Sequence, residues 1–338
     1  MSDYQEKEKL SFELKEKDSS PQESETLHAK PVLTPGQTLA KHYEIISELG
    51  RGGNSIVYRA RHLLLDEPCA LKLLLPDRIP NEKAIRRFQQ EAKAVSRLAH
   101  PNIIRLREFG IDDSGRPFLA MDFVEGTPLS SMIEGSGQLS VGQTIDLVSI
   151  ACDALRHAHG EGVVHRDIKP SNILVGKGKD GTPAPKIVDF GIAKLEAPEQ
   201  ALSLTETGEI FGSPLYMSPE QCLGKPVDER TDVYALGCVL YECVFGKPPF
   251  TGESAIETLM AHVQEEPSID ESVCGKPLKR VIERCLAKSQ ADRYQSIAAL
   301  QEDLSKAKRG EEPRHGAAKR RTGDKAAIKH SQIQRRLS

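Results

Sequence analysis

The sequence predicts an α+β fold of two lobes, a small antiparallel sheet with one main helix followed by a larger, mostly helical part. Three observations carry this reading. Strand-like runs between Tyr43 and Leu74 are separated by a glycine-rich turn. One helical pattern and one hairpin pattern follow, as far as Phe123. At Gly126-Thr127-Pro128 the composition changes, and from there the apolar spacing is largely helical. A boundary of this kind leaves a cleft between lobes, where a ligand is expected. The domain is expected over residues 37–304, with lobes at 37–125 and 126–304, a disordered tail at 1–36 and a basic flexible tail at 305–338.

The 338 residues are 38% hydrophobic and 28% charged, enough to bury a substantial core. Seven cysteines (Cys69, Cys152, Cys222, Cys238, Cys243, Cys274, Cys285) are scattered, with no Cys-x-x-Cys pair. That argues against a disulfide framework or a zinc site and for reduced, buried thiols in a cytoplasmic protein. The longest strongly apolar run, Val233 to Tyr241, is far short of a bilayer span, and no signal peptide opens the chain. A soluble cytoplasmic protein is therefore expected. The net charge of -3 is unevenly spread. Residues 305–338 carry eleven Lys/Arg against three Asp/Glu, or +8, and residues 1–30 carry -3, which leaves -8 for the part between. A core of that sign does not suit nucleic acid, whereas the basic tail suits an anionic surface.

In chain order, residues 1–36 are rich in Glu, Lys, Ser and Pro and poor in apolar side chains. Tyr43-Glu44-Ile45-Ile46-Ser47-Glu48-Leu49 has strand character. Gly50-Arg51-Gly52-Gly53 then places three glycines in four positions, leaving backbone N–H groups free to approach a phosphate. Alone this is weak, since most glycine hairpins are only turns. Cys69-Ala70-Leu71-Lys72-Leu73-Leu74 is a further strand. Asn81 to Ala99 is helical, with Ala84, Ile85, Phe88, Ala92, Val95 and Leu98 on one face and Glu91 at its edge, where an acid is ordinarily solvated. After His100-Pro101-Asn102, Ile103 to Phe109 and Pro117 to Phe123 read as a hairpin around Asp113-Ser114-Gly115.

In the second lobe, a helix-like run from Thr144 to His159 leads to His165-Arg166-Asp167-Ile168-Lys169-Pro170-Ser171-Asn172. Pro170 forbids a continuous helix, and Asp, Asn and Ser favour bent backbone, so this is a loop, followed by a strand at Ile173-Leu174-Val175. An acid and an amide five residues apart, with a lysine between them, suit a site that positions a hydroxyl, a phosphate and a divalent ion. The carboxylate accepts a proton, the amide oxygen ligates Mg²⁺ and the ammonium balances phosphate charge. Taken alone, the same residues read as a polar surface loop. Gly176 to Pro185 reads as a loop longer than a tight turn needs. After Lys186-Ile187-Val188-Asp189-Phe190-Gly191 comes a segment of roughly thirty residues to Glu220, a length that is usually functional or mobile. Thr231 to Tyr241 is apolar nearly all round, hence a buried helix, stopped at Gly246-Lys247-Pro248-Pro249-Phe250. Helical patterns return at Leu278 to Ala287 and Ser296 to Leu304.

Taken together and in this order, the motifs resemble the eukaryotic-type (Hanks-type) serine/threonine protein kinases, and bacterial members in particular, over residues 43 to 304. The resemblance implies the bilobal protein kinase fold and transfer of the γ-phosphate of ATP to Ser/Thr hydroxyls of proteins, with Mg²⁺ or Mn²⁺. By resemblance, Gly50, Arg51, Gly52 and Gly53 cover the phosphates, and Leu49, Val57, Ala70 and Leu174 contact the nucleotide. Lys72 holds the α- and β-phosphates and pairs with Glu91. Met121 is the gatekeeper, and backbone groups of Asp122 and Val124 bind adenine. Asp167 orients the acceptor hydroxyl and takes its proton, Lys169 marks Ser/Thr specificity, and Asn172 and Asp189 ligate the metal.

Gly212-Ser213-Pro214-Leu215-Tyr216-Met217-Ser218-Pro219-Glu220 resembles the end of an activation segment, in which Ser213 bridges to Asp167 and Lys169. Glu220 is expected to pair with Arg293, and Asp232 to anchor the catalytic loop; both roles are structural. Arg166 implies control by phosphorylation, a phosphate on Thr205 or Thr207 pairing with it. The departures are Ser55 for a third glycine, Ser218 for the usual alanine, and the long Gly176 to Pro185 segment. The partners implied are protein substrates and a second copy for trans-autophosphorylation. The basic tail itself reads first as a solvated extension, against the sharper readings of binding to an anionic surface or of an internal acceptor at Arg335-Arg336-Leu337-Ser338. Many bacterial relatives continue into a membrane span; none is seen here, so the signal is expected from inside the cell. The alternatives are a pseudokinase scaffold and a small-molecule kinase. Lys72, Glu91, Asp167, Asn172 and Asp189 are all present, against the first; the Gly212 to Glu220 docking segment argues against the second.

Overall fold

Alternating burial builds the first sheet. In β3 (Ser55–His62) Ile56, Tyr58 and Ala60 point into the core, while in β4 (Glu67–Leu74) every residue from Cys69 on is buried, as befits a central strand covered on both faces. The computed structural model describes residues 33–52, 55–75, 82–178, 180–190 and 214–314, without the side chains of residues 82–84 and 87. From Pro35 onward the described residues form one unit. With β1 (Thr38–Leu39), β2 (Tyr43–Arg51), β5 (Leu106–Ile111) and β6 (Pro117–Asp122), these strands form an antiparallel sheet in the order β1-β2-β3-β4-β6-β5. Pairing starts at Gly36, whose N–H donates to the Ile45 carbonyl at 2.9 Å, so the tail expected to reach residue 36 is already engaged there. The helix α1 (Glu82–Val95) buries Phe88, Ala92 and Val95. It stops four residues before the expected Ala99, where Ser96 Oγ caps the Lys93 carbonyl at 3.0 Å.

The second lobe opens with β7 (Thr127–Pro128), α2 (Leu129–Ser136) and α3 (Val141–Gly160), the last started by a reciprocal Ser140/Gln143 capping box. β8 (Ile173–Lys177) and β9 (Pro183–Ile187) complete a three-stranded sheet in the order β7-β8-β9. The segment read as a long loop is therefore mostly a hairpin, with only residues 178–182 between the strands. Pro183 and Pro185 hide it from the sequence. Each removes a donor, which is tolerated because β9 lies at the sheet edge.

The helices α4 (Pro219–Cys222), α5 (Glu229–Phe245), α6 (Ala255–Gln264), α7 (Glu271–Cys285) and α8 (Ile297–Lys308) follow. In α5 every residue from Thr231 to Tyr241 is buried, as expected, and Gly246 closes the helix in the left-handed conformation. α7 is kinked at Gly275, ahead of Pro277. α8 runs past Leu304 to Lys308, which pairs with Asp146 of α3, and the Arg314 N–H donates to Asp303 Oδ1 at 2.8 Å. The expected start of the tail at residue 305 therefore falls inside the lobe. These last residues are held by polar contacts, which leave no apolar period. All seven cysteines are buried and free, and no helix among the described residues is long and apolar enough to cross a membrane.

Candidate active site

The roof of the site follows from register. Gly50 lies opposite Val57, Val57 opposite Lys72, and Lys72 opposite Leu119, a line across β2, β3, β4 and β6. Side chains two apart or directly opposite share a face, so Val57, Lys72, Ala70 and its partner Met121 line one side of the sheet. Leu49 is half exposed at the sheet edge, and Arg51 pairs with Glu48 at 2.8 Å. The Gly52 N–H closes the hairpin on the Ser55 carbonyl at 2.8 Å, while Gly53 lies outside the described residues. At the end of β6 the Asp122 N–H donates to the Arg105 carbonyl at 3.0 Å, which limits its backbone to the carbonyl for any ligand. Val124 and, on β8, Leu174 are half-buried below that edge.

The floor is the loop 165–172. His165 is fully buried; its Nε2 donates to the Val188 carbonyl at 3.1 Å, and its Nδ1 accepts the Asp167 N–H at 3.2 Å. Burial holds this imidazole below the usual histidine range, so it stays neutral and suits both bonds. Asp232, fully buried on α5, accepts the His165 N–H at 2.9 Å, the Arg166 N–H at 2.8 Å and His159 Nε2 at 2.7 Å. The anchor expected of Asp232 is in place. Nothing local in the sequence distinguishes His159 from any histidine at the end of a helix.

Within the loop, Lys169 Nζ lies 3.3 Å from Asp167 Oδ2. Asn172 Nδ2 donates to the Asp167 carbonyl at 2.8 Å and to Asp167 Oδ2 at 3.2 Å, which leaves the amide oxygen for a cation. The Val188 N–H donates to the Asn172 carbonyl at 2.9 Å, bringing Asp189 beside this group. Asp189 has φ 63°, a left-handed conformation uncommon outside glycine, and its carboxylate takes the ammonium of Lys72. Lys72, Asp167, Lys169, Asn172 and Asp189 thus converge between the lobes.

One expected contact is replaced. Lys72 pairs with Asp189 and not with Glu91, whose carboxylate stands 3.7 Å from Arg166 Nη1 instead. The helical period places Glu91 on the edge of α1 facing the cleft, but it does not choose between two cations there. Burial pushes Glu91 up to about 7, against the opposing pull of Arg166. Below the loop, Arg293 binds Glu220 through two bonds of 2.7 Å, and Thr231 Oγ1 donates to Glu220 at 2.8 Å, as the structural pair requires. Thr205, Thr207 and Ser213 lie outside the described residues. Two further contacts have no local signature in the sequence. Tyr216 donates to Glu242 at 2.6 Å, and Gln221 to the Arg166 carbonyl at 2.9 Å.

Comparison with known proteins falls on the same span. The family profile described as Protein kinase domain matches residues 43–305. The chain is 38% identical over 299 residues to the serine/threonine-protein kinase pkn3 of Myxococcus xanthus, covering 87% of this chain and 54% of that protein. It is 37% identical over 287 residues to the serine/threonine-protein kinase PknB of Mycobacterium tuberculosis, covering 83% and 45%. The chain thus spans about half the length of these relatives. Among solved structures, the kinase domain of PknI from Mycobacterium tuberculosis superposes with a TM-score of 0.62 at 28% identity, covering 81% of this chain and 99% of that one.

Proposed function

The chain belongs to the protein kinase family, and from that membership we propose that it transfers the γ-phosphoryl group of ATP to serine or threonine hydroxyls of proteins, its own included. The observation that carries this reading is the convergence of Lys72, Asp167, Lys169, Asn172 and Asp189 between the lobes. Phosphoryl transfer asks a protein mainly to position groups and to stabilise charge. Asp167 accepts the proton of the incoming hydroxyl, and Asn172 holds its carboxylate in place. Lys169 offsets charge between that carboxylate and the phosphate. Lys72, buried in the central strand, binds the nucleotide's phosphates, with Gly50 and Gly52 above them and Met121, Asp122 and Val124 toward the base. The Asn172 amide oxygen and the Asp189 carboxylate are hard oxygen donors that fit Mg²⁺, which keeps several waters and takes phosphate oxygens, or Mn²⁺. Such an ion, when bound, neutralises charge on the phosphates.

Lys72, Glu91, Asp167, Asn172 and Asp189 all keep the chemistry a pseudokinase scaffold would have no need of. A phosphate on Thr205 or Thr207 would draw Arg166 to itself, the basic tail would meet anionic surfaces, and trans-autophosphorylation would use a second copy. The dependence on ATP and the free, buried thiols support a cytoplasmic reaction. The test is phosphate transfer from Mg-ATP to a generic basic protein by wild type and by Asp167→Asn, followed by phosphosite mapping. A general base is worth about 10²–10⁴ in rate, so the variant should lose at least about a hundredfold. Equal rates, or a folded but inert wild type, would reject the reading.

A further inference from the structure

The backbone of Arg166 is gripped from two sides. It has φ 65°, a left-handed conformation that a residue with a Cβ keeps only when its neighbours over-determine it. On one side its N–H donates to Asp232 Oδ1 at 2.8 Å. On the other its carbonyl accepts from Gln221 Nε2 at 2.9 Å, across 55 residues of chain. The next residue is Asp167.

The Gln221 amide is itself oriented. Its Oε1 accepts from the Ser218 N–H at 3.0 Å and from Ser218 Oγ at 3.2 Å, and Ser218 Oγ accepts the Gln221 N–H at 3.4 Å. This is a reciprocal capping box at the start of α4. With the oxygen occupied by two donors, the nitrogen is left to face the Arg166 carbonyl. Ser218 is fully buried, so its hydroxyl has no solvent to turn to. Alanine, the residue usual at this place, would supply no hydroxyl to the box.

We propose that Ser218 and Gln221 form a positioning pair that fastens α4, the helix directly following the activation segment, to the catalytic loop. Gln221 holds the Arg166 peptide in its left-handed conformation and so aims the Asp167 carboxylate; Ser218 aims Gln221. Neither touches substrate. The inference rests on the kinase reading above.

The test compares the wild-type chain of 338 residues with Gln221→Glu and Gln221→Leu. Glutamate keeps the acceptor for Ser218, and hence the cap of α4, but sets an oxygen against the Arg166 carbonyl. Loss of the hydrogen bond, with that repulsion added in Gln221→Glu, should lower kcat about fivefold to tenfold. KM for ATP should stay close to wild type in both variants, and Tm close to wild type in Gln221→Glu, which keeps the cap. Amide exchange gives a readout without turnover: the 165–167 amides should exchange faster in Gln221→Leu. An inert wild type would overturn the kinase reading but leave the exchange test standing. An active wild type matched within twofold by both variants, with unchanged exchange, would overturn this assignment alone. So would a fall in kcat of Gln221→Glu accompanied by an equal loss of ATP binding and of Tm, which is what a merely structural role gives.

Discussion

Two cations, Lys72 and Arg166, stand between two carboxylates, Glu91 and Asp189, and each takes one. Lys72 is only 9% exposed and cannot stay unpaired at that depth, so an acid must meet it. Glu91 at 3.7 Å from Arg166 has the weaker contact, and burial has pushed it up to about 7. One pH unit below that value only about a tenth of such carboxyls are ionised. In the kinase reading Asp189 turns to the metal, and Lys72 then needs an ionised Glu91. Acid favours neutral Glu91 and withholds that partner, so kcat/KM should decline as pH falls through about 7. Glu91→Gln should show low activity and a flatter profile, which also separates the effect from titration of the nucleotide. A wild-type profile level between pH 6 and 8 would refute this. The identities of Lys72, Asp167, Asn172 and Asp189 were legible as motif residues, because the spacing within each motif is local. The partner of Glu91 was not, since the choice among cations is made by segments far apart in sequence. His159 and Gln221 left no signal for the same reason.

Elements were legible where one physical constraint dominated them. The α5 helix is apolar on every side and is buried on every side from Thr231 to Tyr241. The β8–β9 hairpin was hidden because two prolines sit on an edge strand, and α8 was cut short because its last turn is held by Lys308 and Asp146. Where helices meet, small residues decide. A Cβ added at Gly237 of α5 would lie 2.5 Å from the Cβ of Cys285 on α7 and 3.1 Å from Leu286. The first neighbour is next to backbone and cannot swing away. In an open helix Gly→Ala gains about 1 kcal/mol in propensity. Overpacking of a filled core costs about 1–3 kcal/mol. The clash should win, so Gly237→Ala is expected to destabilise by about 1–2 kcal/mol in urea unfolding. A stabilised variant would show that α5 and α7 have more room than the geometry gives.

At the scale of the whole molecule, one ion pair ties the segment after the activation loop to the far end of the second lobe. Arg293 is fully buried and Glu220 is 4% exposed. Besides its two bonds to Glu220, the guanidinium donates to the carbonyls of Ala287, Arg230 and Lys288, so none of its three nitrogens is left unpaired. Breaking a buried pair of this kind strands a charge and costs about 3–5 kcal/mol. Burial raises the Glu220 carboxyl, but the bonds from Arg293 and Thr231 outweigh it and hold the group below its ordinary 4.5. A carboxyl depressed in the folded state adds stability that is complete above 4.5 and is lost as pH falls through its lower folded value. Glu220→Gln should therefore cost about 3–5 kcal/mol at pH 7. The gap to wild type should narrow as pH is lowered beneath 4.5, because wild type loses there what the variant never had. Urea unfolding of both proteins at neutral and acid pH measures this, and a gap that stays constant with pH would mean that the Glu220 charge does not hold the lobe together.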